Sequence, residues 1–190
     1  MEVNNLLEFY REQYALELET KREITARAQL LLAFLVAVGG LLVYMAKNLT
    51  VGVSWPVITT AIFLLISTLT LAGAAILVIK SFWGNEYSYI PSLGDFEKRR
   101  QFHINSGDSD TGVEGITNEI FRELAECCDE NSTVNNKRNS KLNAGIRFVL
   151  GGCVPLVMGA AVFIGADLDE ASSRKPINVN VVDSCLGAER

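Results

Sequence analysis

Three long apolar stretches without a single charged residue constrain this chain more than any other feature. They run from Ala28 to Ala46, from Val57 to Ile79 and from Phe148 to Ala166. Each is close to the ~20 residues a helix needs to cross a hydrocarbon core of ~30 Å at ~1.5 Å per residue. The expected fold is therefore all-α and integral to the membrane. Three transmembrane helices are joined to a long N-terminal cytoplasmic helical extension and a small helical cytoplasmic layer. The expected division is 1–27 (cytoplasmic helix continuous with the first span), 28–47 (first span), 48–56 (short outer loop), 57–80 (second span), 81–146 (cytoplasmic helical segment), 147–166 (third span) and 167–190 (outer tail). The third span is diluted by Gly151, Gly152, Pro155, Gly159 and Gly165.

With 190 residues and three spans, too little chain remains outside the bilayer for a large independent core. A net charge of −5 argues against a polybasic lipid binder or a general nucleic-acid binder, though not against a local basic pocket. The stretch from Ala28 does not read as a cleavable signal, because a long charged helix-forming segment precedes it. The four cysteines form no framework: Cys127 and Cys128 are adjacent, Cys153 lies in a span and Cys185 in the tail. With one histidine and no CxxC there is no zinc pattern, and no cofactor is expected.

Flanking basic residues set the expected orientation. Arg11, Lys21, Arg22 and Arg27 precede the first span, and Lys80 through Arg147 supply many more between the second and third. The loop from Lys47 to Pro56 has one lysine. The N-terminus and the middle segment are thus expected in the cytoplasm, and the C-terminus outside. Leu7, Tyr10, Tyr14 and Leu18 form one helical stripe. With no Gly or Pro before the first span, one helix is expected from about Asn5 to about Lys47. Pro56 suits the start of the second span, with Trp55 as an interfacial anchor. Beyond it, Glu86 to Ser92 reads as a short extended segment, and Ser92 as the cap of a helix containing Phe96 to His103. Asn105 to Gly112 reads as a mobile polar loop, Ile116 to Asp129 as an amphipathic helix and Glu130 to Asn136 as a polar break. Lys137 to Arg147 leads helically into the third span. The alternation from Ile177 to Val182 suggests one strand.

No nucleophile elbow, P-loop, HExxH or GxGxxG is present, and His103 has no sequence-local partner, so the chain does not read as an enzyme. The spans say more. Thr60, Ser67, Thr70 and Ala74 share one face of the second span, and such residues either line a water-filled path or allow close helix packing. On the first reading, Thr60, Ser67 and Thr70 are the pore-lining residues. Ala33, Ala37 and Gly40 form a small-residue stripe in the first span, and Gly151, Pro155 and Gly159 recur every four residues in the third. No charge lies within a span, which disfavours a charge-relay transporter. In the middle segment, aromatic and basic groups cluster. Tyr87, Tyr89, Arg99 and Arg100 are the candidate ligand-binding residues, because rings stack on bases and guanidinium groups fork onto phosphates. The alternative is that the basic groups mark the inner membrane face and the tyrosines pack on the first helix.

This architecture resembles small bacterial membrane effectors of anti-phage systems, which are encoded beside nucleotidyltransferases and permeabilise the inner membrane when triggered. The resemblance rests on Tyr10-Arg-Glu-Gln-Tyr14 through Lys21-Arg22 running straight into the first span, on the short loop before Pro56, and on Glu86-Tyr-Ser-Tyr-Ile-Pro91 after the second span. It is similar to the two-span effector domain over roughly Met1 to Glu130; the third span and tail depart from it. The Hailong type, a channel-like effector held closed by single-stranded DNA oligomers, is one such match. The resemblance implies a homo-oligomer, taken as a tetramer, in the bacterial inner membrane. It also implies a pore gated by a nucleotidyltransferase product such as single-stranded DNA or another oligonucleotide, whose opening causes depolarisation and abortive infection. The competing expectation is a non-conducting scaffold or accessory subunit of a membrane complex.

Overall fold

A computed structural model describes residues 3–83, 85–106 and 109–171. It is all-helical, with α1 (Val3–Asn48), α2 (Trp55–Phe82), α3 (Leu93–Asn105) and α4 (Ser109–Gly165). Three of these, α1, α2 and α4, are long and apolar enough to cross a membrane. The expected strand at 177–182 lies outside the described residues.

The helices are held together by seams of unusual regularity. On α2 the buried positions are Thr60, Leu64, Ser67, Leu71, Ala74, Val78 and Ser81. The steps alternate four and three residues, giving the 3.5-residue period of a left-handed supercoil. On α1 the same steps connect Ile24, Ala28, Leu31, Leu35, Val38, Leu42 and Met45, which are buried or half-buried. On α4 they connect Asn135, Arg138, Leu142, Gly145, Val149, Gly152, Leu156, Gly159 and Phe163. Leu64, Leu71, Val149 and Leu156 thereby share one apolar core with Leu42 and Met45, and Ile24, Ala28, Val78 and Leu142 share another. What faces away is bulky and aliphatic, including Ile62, Leu65, Leu69, Val154 and Val157, as suits lipid.

Of the two glycines in the four-residue stripe, Gly159 meets a neighbour and Gly151 does not. Gly145, Gly152 and Gly159 face α2, where an added Cβ would lie 3.0 Å from Val78, 2.7 Å from Thr70 and 3.1 Å from Phe63 respectively. Gly151 has nothing within 4 Å. The productive period is thus seven, and it lets the α2 and α4 backbones approach closely.

Two polar stretches also differ from expectation. Glu130 to Asn136 is no break: α4 runs unbroken for 57 residues. The segment holds no Gly or Pro, and Asn131 and Asn135 turn inward to polar partners. Helix α4 also starts at Ser109, inside the expected Asn105–Gly112 loop.

At the loop end of the bundle, α1 and α4 are fastened by backbone. Leu49 and Asp169 form an antiparallel bridge, with Thr50 N donating to Leu168 O and Glu170 N to Asn48 O, each at 2.9 Å. Asp167, at φ 50°, turns the chain out of α4, and Leu168 N and Asp167 N cap Phe163 O and Ile164 O. The Tyr44 hydroxyl donates to Asp169 Oδ2 at 2.9 Å. Trp55 and Trp83, 79% and 81% exposed, flank α2. Its 28 residues span roughly 42 Å, about the full bilayer including headgroups.

Candidate functional site

At the opposite, polar end, a strap of extended backbone (85–92) connects α2 to α3. Pro91 holds it short of a helix, and Ser92 occupies the N-cap position of α3 without a side-chain cap, its hydroxyl donating to Asp95 Oδ2 at 2.8 Å instead. Having no sheet to join, the strap is bound by side chains. Asn131 reads the backbone of Ser88 on both sides: Ser88 N donates to Asn131 Oδ1 at 3.0 Å, and Asn131 Nδ2 donates to Ser88 O at 2.9 Å. The Ser88 hydroxyl donates to Glu130.

The centre of this joint is Arg138, which in the sequence is one basic residue among many between the second and third spans. It is 3% exposed. Its Nε donates to Ser81 O at 2.8 Å, its Nη1 to the Tyr87 hydroxyl at 2.6 Å and its Nη2 to Thr25 Oγ1 at 3.0 Å. One guanidinium therefore ties α4 to α2, the strap and α1. Among the described residues no carboxylate forms an ion pair with it. Part of the counter-charge comes from the α2 C-terminus, where carbonyls are unpaired and the helix dipole is negative. Lys141 Nζ caps the adjacent Lys80 O at 3.2 Å.

Tyr87 and Tyr89 are built into the same joint. The Tyr87 hydroxyl donates to Asn135 Oδ1 at 2.7 Å, and Asn135 Nδ2 donates to Glu17 Oε2 at 2.8 Å. Lys21 Nζ lies 4.1 Å from the Tyr87 ring centroid and donates to the Tyr89 hydroxyl at 2.7 Å. Tyr89 and Lys21 keep a solvent-facing side, Tyr89 being exposed.

The two arginines of the expected cluster stand elsewhere. Arg99 forms an ion pair with Glu119 on α4, and Arg100 donates through Nε and Nη2 to Glu97, both at 2.7 Å. Glu119 and Asn135 are sixteen residues apart on one helix, roughly 24 Å at ~1.5 Å per residue. The structure thus separates Arg99 and Arg100 from Tyr87 and Tyr89. The Arg100 guanidinium, with Gln101, holds the Glu97 carboxyl down at about 2.

Of the three hydroxyls expected to line a pore, two are closed off from the single chain's surface. Thr60 and Ser67 are fully buried between α2 and α4, and Ser67 Oγ donates to Gly152 O at 2.9 Å. Thr70, half-buried beside Gly152, is bonded to its own helix at Ile66 O and Ser67 O, both 2.9 Å. In this arrangement the hydroxyl face is a packing seam.

Between α1 and α4, next to the joint, lies a polar cavity of about 130 Å³ lined by Glu17, Thr20, Glu23, Ser132, Asn135 and Asn139. That is well below the roughly 300–1,000 Å³ of sites enclosing a drug-sized ligand. Among the described residues no cluster of three or more His, Cys, Asp or Glu could hold a metal. Burial raises the thiols of Cys127 and Cys128 above their ordinary value, so neither is a ready nucleophile at neutral pH.

The comparison that decides the family follows these features closely. The family model PycTM, the Pycsar effector protein domain, matches residues 17–165, from the glutamate beside the joint to the end of α4. The chain belongs to the Pycsar effector family. It is a transmembrane effector of anti-phage defence, and its place is the membrane. The match includes the third span, so that helix is part of the Pycsar effector domain. No curated protein and no solved structure gives a significant match.

Proposed function

We propose that this Pycsar effector is a homo-oligomeric inner-membrane pore, opened or closed by a nucleotide-derived ligand acting on its cytoplasmic joint. Opening depolarises the infected cell and ends infection by abortion. The observation that carries the reading is the joint itself. Arg138 connects the end of α2 to α1, α4 and the strap, and α1 and α4 continue from there into the membrane without a break. A ligand that binds two arrangements of the joint unequally shifts the membrane helices with it.

The family's place in cyclic nucleotide signalling favours a cyclic nucleotide over the single-stranded DNA oligomer of the Hailong type. Contact is assigned to Lys21, Tyr87 and Tyr89, with a ring to stack a base and an ammonium to meet a phosphate. Arg99 and Arg100 are engaged with Glu119 and Glu97 and serve to hold α3 instead. Lys21, Tyr87 and Tyr89 stand beside the small cavity and do not line it, so the walls for a whole nucleotide come from a neighbouring copy. The basic flanks favour a cytoplasmic joint and a periplasmic 48–54 loop.

The test is conductance of the reconstituted full-length protein in planar bilayers. The additions are the four 3′,5′-cyclic nucleoside monophosphates and a single-stranded DNA oligonucleotide, the latter before and after nuclease. A change of current with one of them is expected, and Lys21→Gln with Tyr89→Ala removes the response. A confirmed oligomer that stays silent throughout refutes the pore and leaves a non-conducting scaffold.

A further inference from the structure

The seam between α2 and α4 holds a polar atom that packing does not explain. Thr60 is fully buried, and its hydroxyl has no hydrogen-bond partner. Elsewhere on α2 the hydroxyls of Thr59, Thr68 and Thr70 are satisfied one turn back, at Trp55 O, Leu64 O and Ile66 O. Ser67 instead donates across the seam to Gly152 O. An orphaned hydroxyl carries a desolvation penalty that an alanine or valine would avoid. The wall opposite is glycine at 145, 152 and 159, which presents backbone where other residues present side chain. Both walls therefore set polar atoms, at Thr60, Ser67 and the glycine backbone, between apolar rungs such as Leu64, Leu71, Val149 and Leu156: dry while closed, with points for water once parted. The outward faces, with Ile62, Leu65, Leu69 and Val157, have no such character.

We propose that the ion path is this seam, opened by α2 parting from α4, so that Thr60, Ser67, Gly152 and Gly159 become its wall. The proposal rests on the pore reading above. It adds which surface conducts, and it makes the arrangement described here the closed one. Thr60 gains its missing partner from water on opening. Three helices enclose no path alone, so a neighbouring copy closes the far side. The joint controls the seam from its polar end: Arg138 holds Ser81 O at the last buried position of α2 and the strap hydroxyl of Tyr87 with the same guanidinium. Displacing the strap removes one of the ties that keep that end of α2 on α4.

A disulfide across the seam tests this. A Cβ built at Gly145 lies 3.7 Å from Leu77 Cβ, within the ~3.5–4.5 Å range of disulfides. Full-length protein carrying L77C and G145C, with its native cysteines replaced by serine, is reconstituted and exposed to the four cyclic nucleotides. Oxidation is expected to lower the open-state current at least tenfold, and reductant to restore it, with neither single-cysteine protein responding. Independently, S67C is expected to react with a charged methanethiosulfonate at least tenfold faster in the conducting than in the resting state. Full current through the oxidised pair, or an unmodified S67C while current flows, overturns the seam path and leaves the pore reading standing. No current from the wild type under any addition removes the pore reading, and this inference with it.

Discussion

Gly151 and Gly152 are adjacent, identical and both inside a membrane span, yet the fold assigns them opposite sensitivities. Replacing either with alanine removes the glycine's helix penalty, worth ~0.8–1.0 kcal/mol. At Gly151 nothing lies within 4 Å of the new methyl, so that gain stands. At Gly152 the methyl would lie 2.7 Å from Thr70 Oγ1 and 2.8 Å from Leu71 Cγ. Neither atom is the free end of a flexible chain: Thr70 is β-branched and bonded to its own helix, and Leu71 is buried in the core. Overpacking of this kind costs ~1–3 kcal/mol. The helix term is common to both variants and cancels, leaving Gly152→Ala less stable than Gly151→Ala by about 1–3 kcal/mol. For a chain of this size ~1 kcal/mol corresponds to ~2–4 °C in Tm. Thermal unfolding in detergent, followed by circular dichroism, should therefore separate the two midpoints by several degrees, with Gly151→Ala at or above wild type. Equal midpoints, or the reverse order, would refute the seven-residue seam and restore the four-residue reading of these glycines.

The joint makes further predictions. Arg138→Met leaves its acceptors other partners: Ser81 O keeps Asn85, the Tyr87 hydroxyl keeps Asn135, and Thr25 Oγ1 keeps Lys21 O. Its cost should fall below the ~3–5 kcal/mol of breaking a buried ion pair. A double-mutant cycle with Tyr87→Phe should give a coupling of about 1–3 kcal/mol, and strict additivity would deny the bond. Asn131→Ala strips the Ser88 N–H and C=O of their amide partner, so hydrogen exchange should accelerate at Ser88; unchanged protection would show that the strap is held by other means. Glu97 should titrate near 2 by NMR. Its folded value is depressed, so its contribution to α3 is present above the ordinary carboxylate range and fades as pH falls towards 2. Arg100→Gln should raise it towards the ordinary range, with Gln101 still holding it below, and salt should weaken the effect because both side chains are exposed. With Cys127, Cys128 and Cys153 replaced by serine, Cys185 should react with an impermeant maleimide on intact spheroplasts. Labelling only after lysis would reverse the proposed orientation.

Spans and helices were legible in the sequence because the bilayer leaves a chain few options. Three uncharged stretches of spanning length admit little else, and the absence of Gly or Pro between Asn5 and Arg27 carries the N-terminal helix straight into the first span. Interfaces were harder to see. The hydroxyl face of Thr60 and Ser67 was visible as a face, but small polar residues suit a water path and a close contact equally, and only burial assigns it to the seam. Gly145 sits among Asn143, Ala144 and Arg147, outside the apolar stretch, so the seven-residue glycine period was hidden and a four-residue one stood out in its place. The polar run at 130–136 read as a break because its side chains look solvated. Several are instead turned onto the strap and α1, where long-range partners satisfy them. Tyr89 and Arg99 are neighbours in sequence, but α3 carries the arginines back along α4, and nothing local records that return.

The backbone bridge between Leu49 and Asp169 has a mechanical meaning as well as a structural one. It pins one end of α1 to one end of α4, while at that end α2 is joined to α1 by the segment before Trp55 and packs on α4 where Phe63 meets Gly159. The pinned pair forms a frame, and on the proposed parting of the seam α2 would act as a lever against it. Over the roughly 30 Å of a span, a swing of about 5° moves the far tip by about 2.5 Å. That tip is where Arg138 grips the Ser81 carbonyl. A hydrogen bond of 2.8 Å is lost on such a displacement unless the arginine follows, so a small angular change at the pinned end would be read at the other as strain on this one bond.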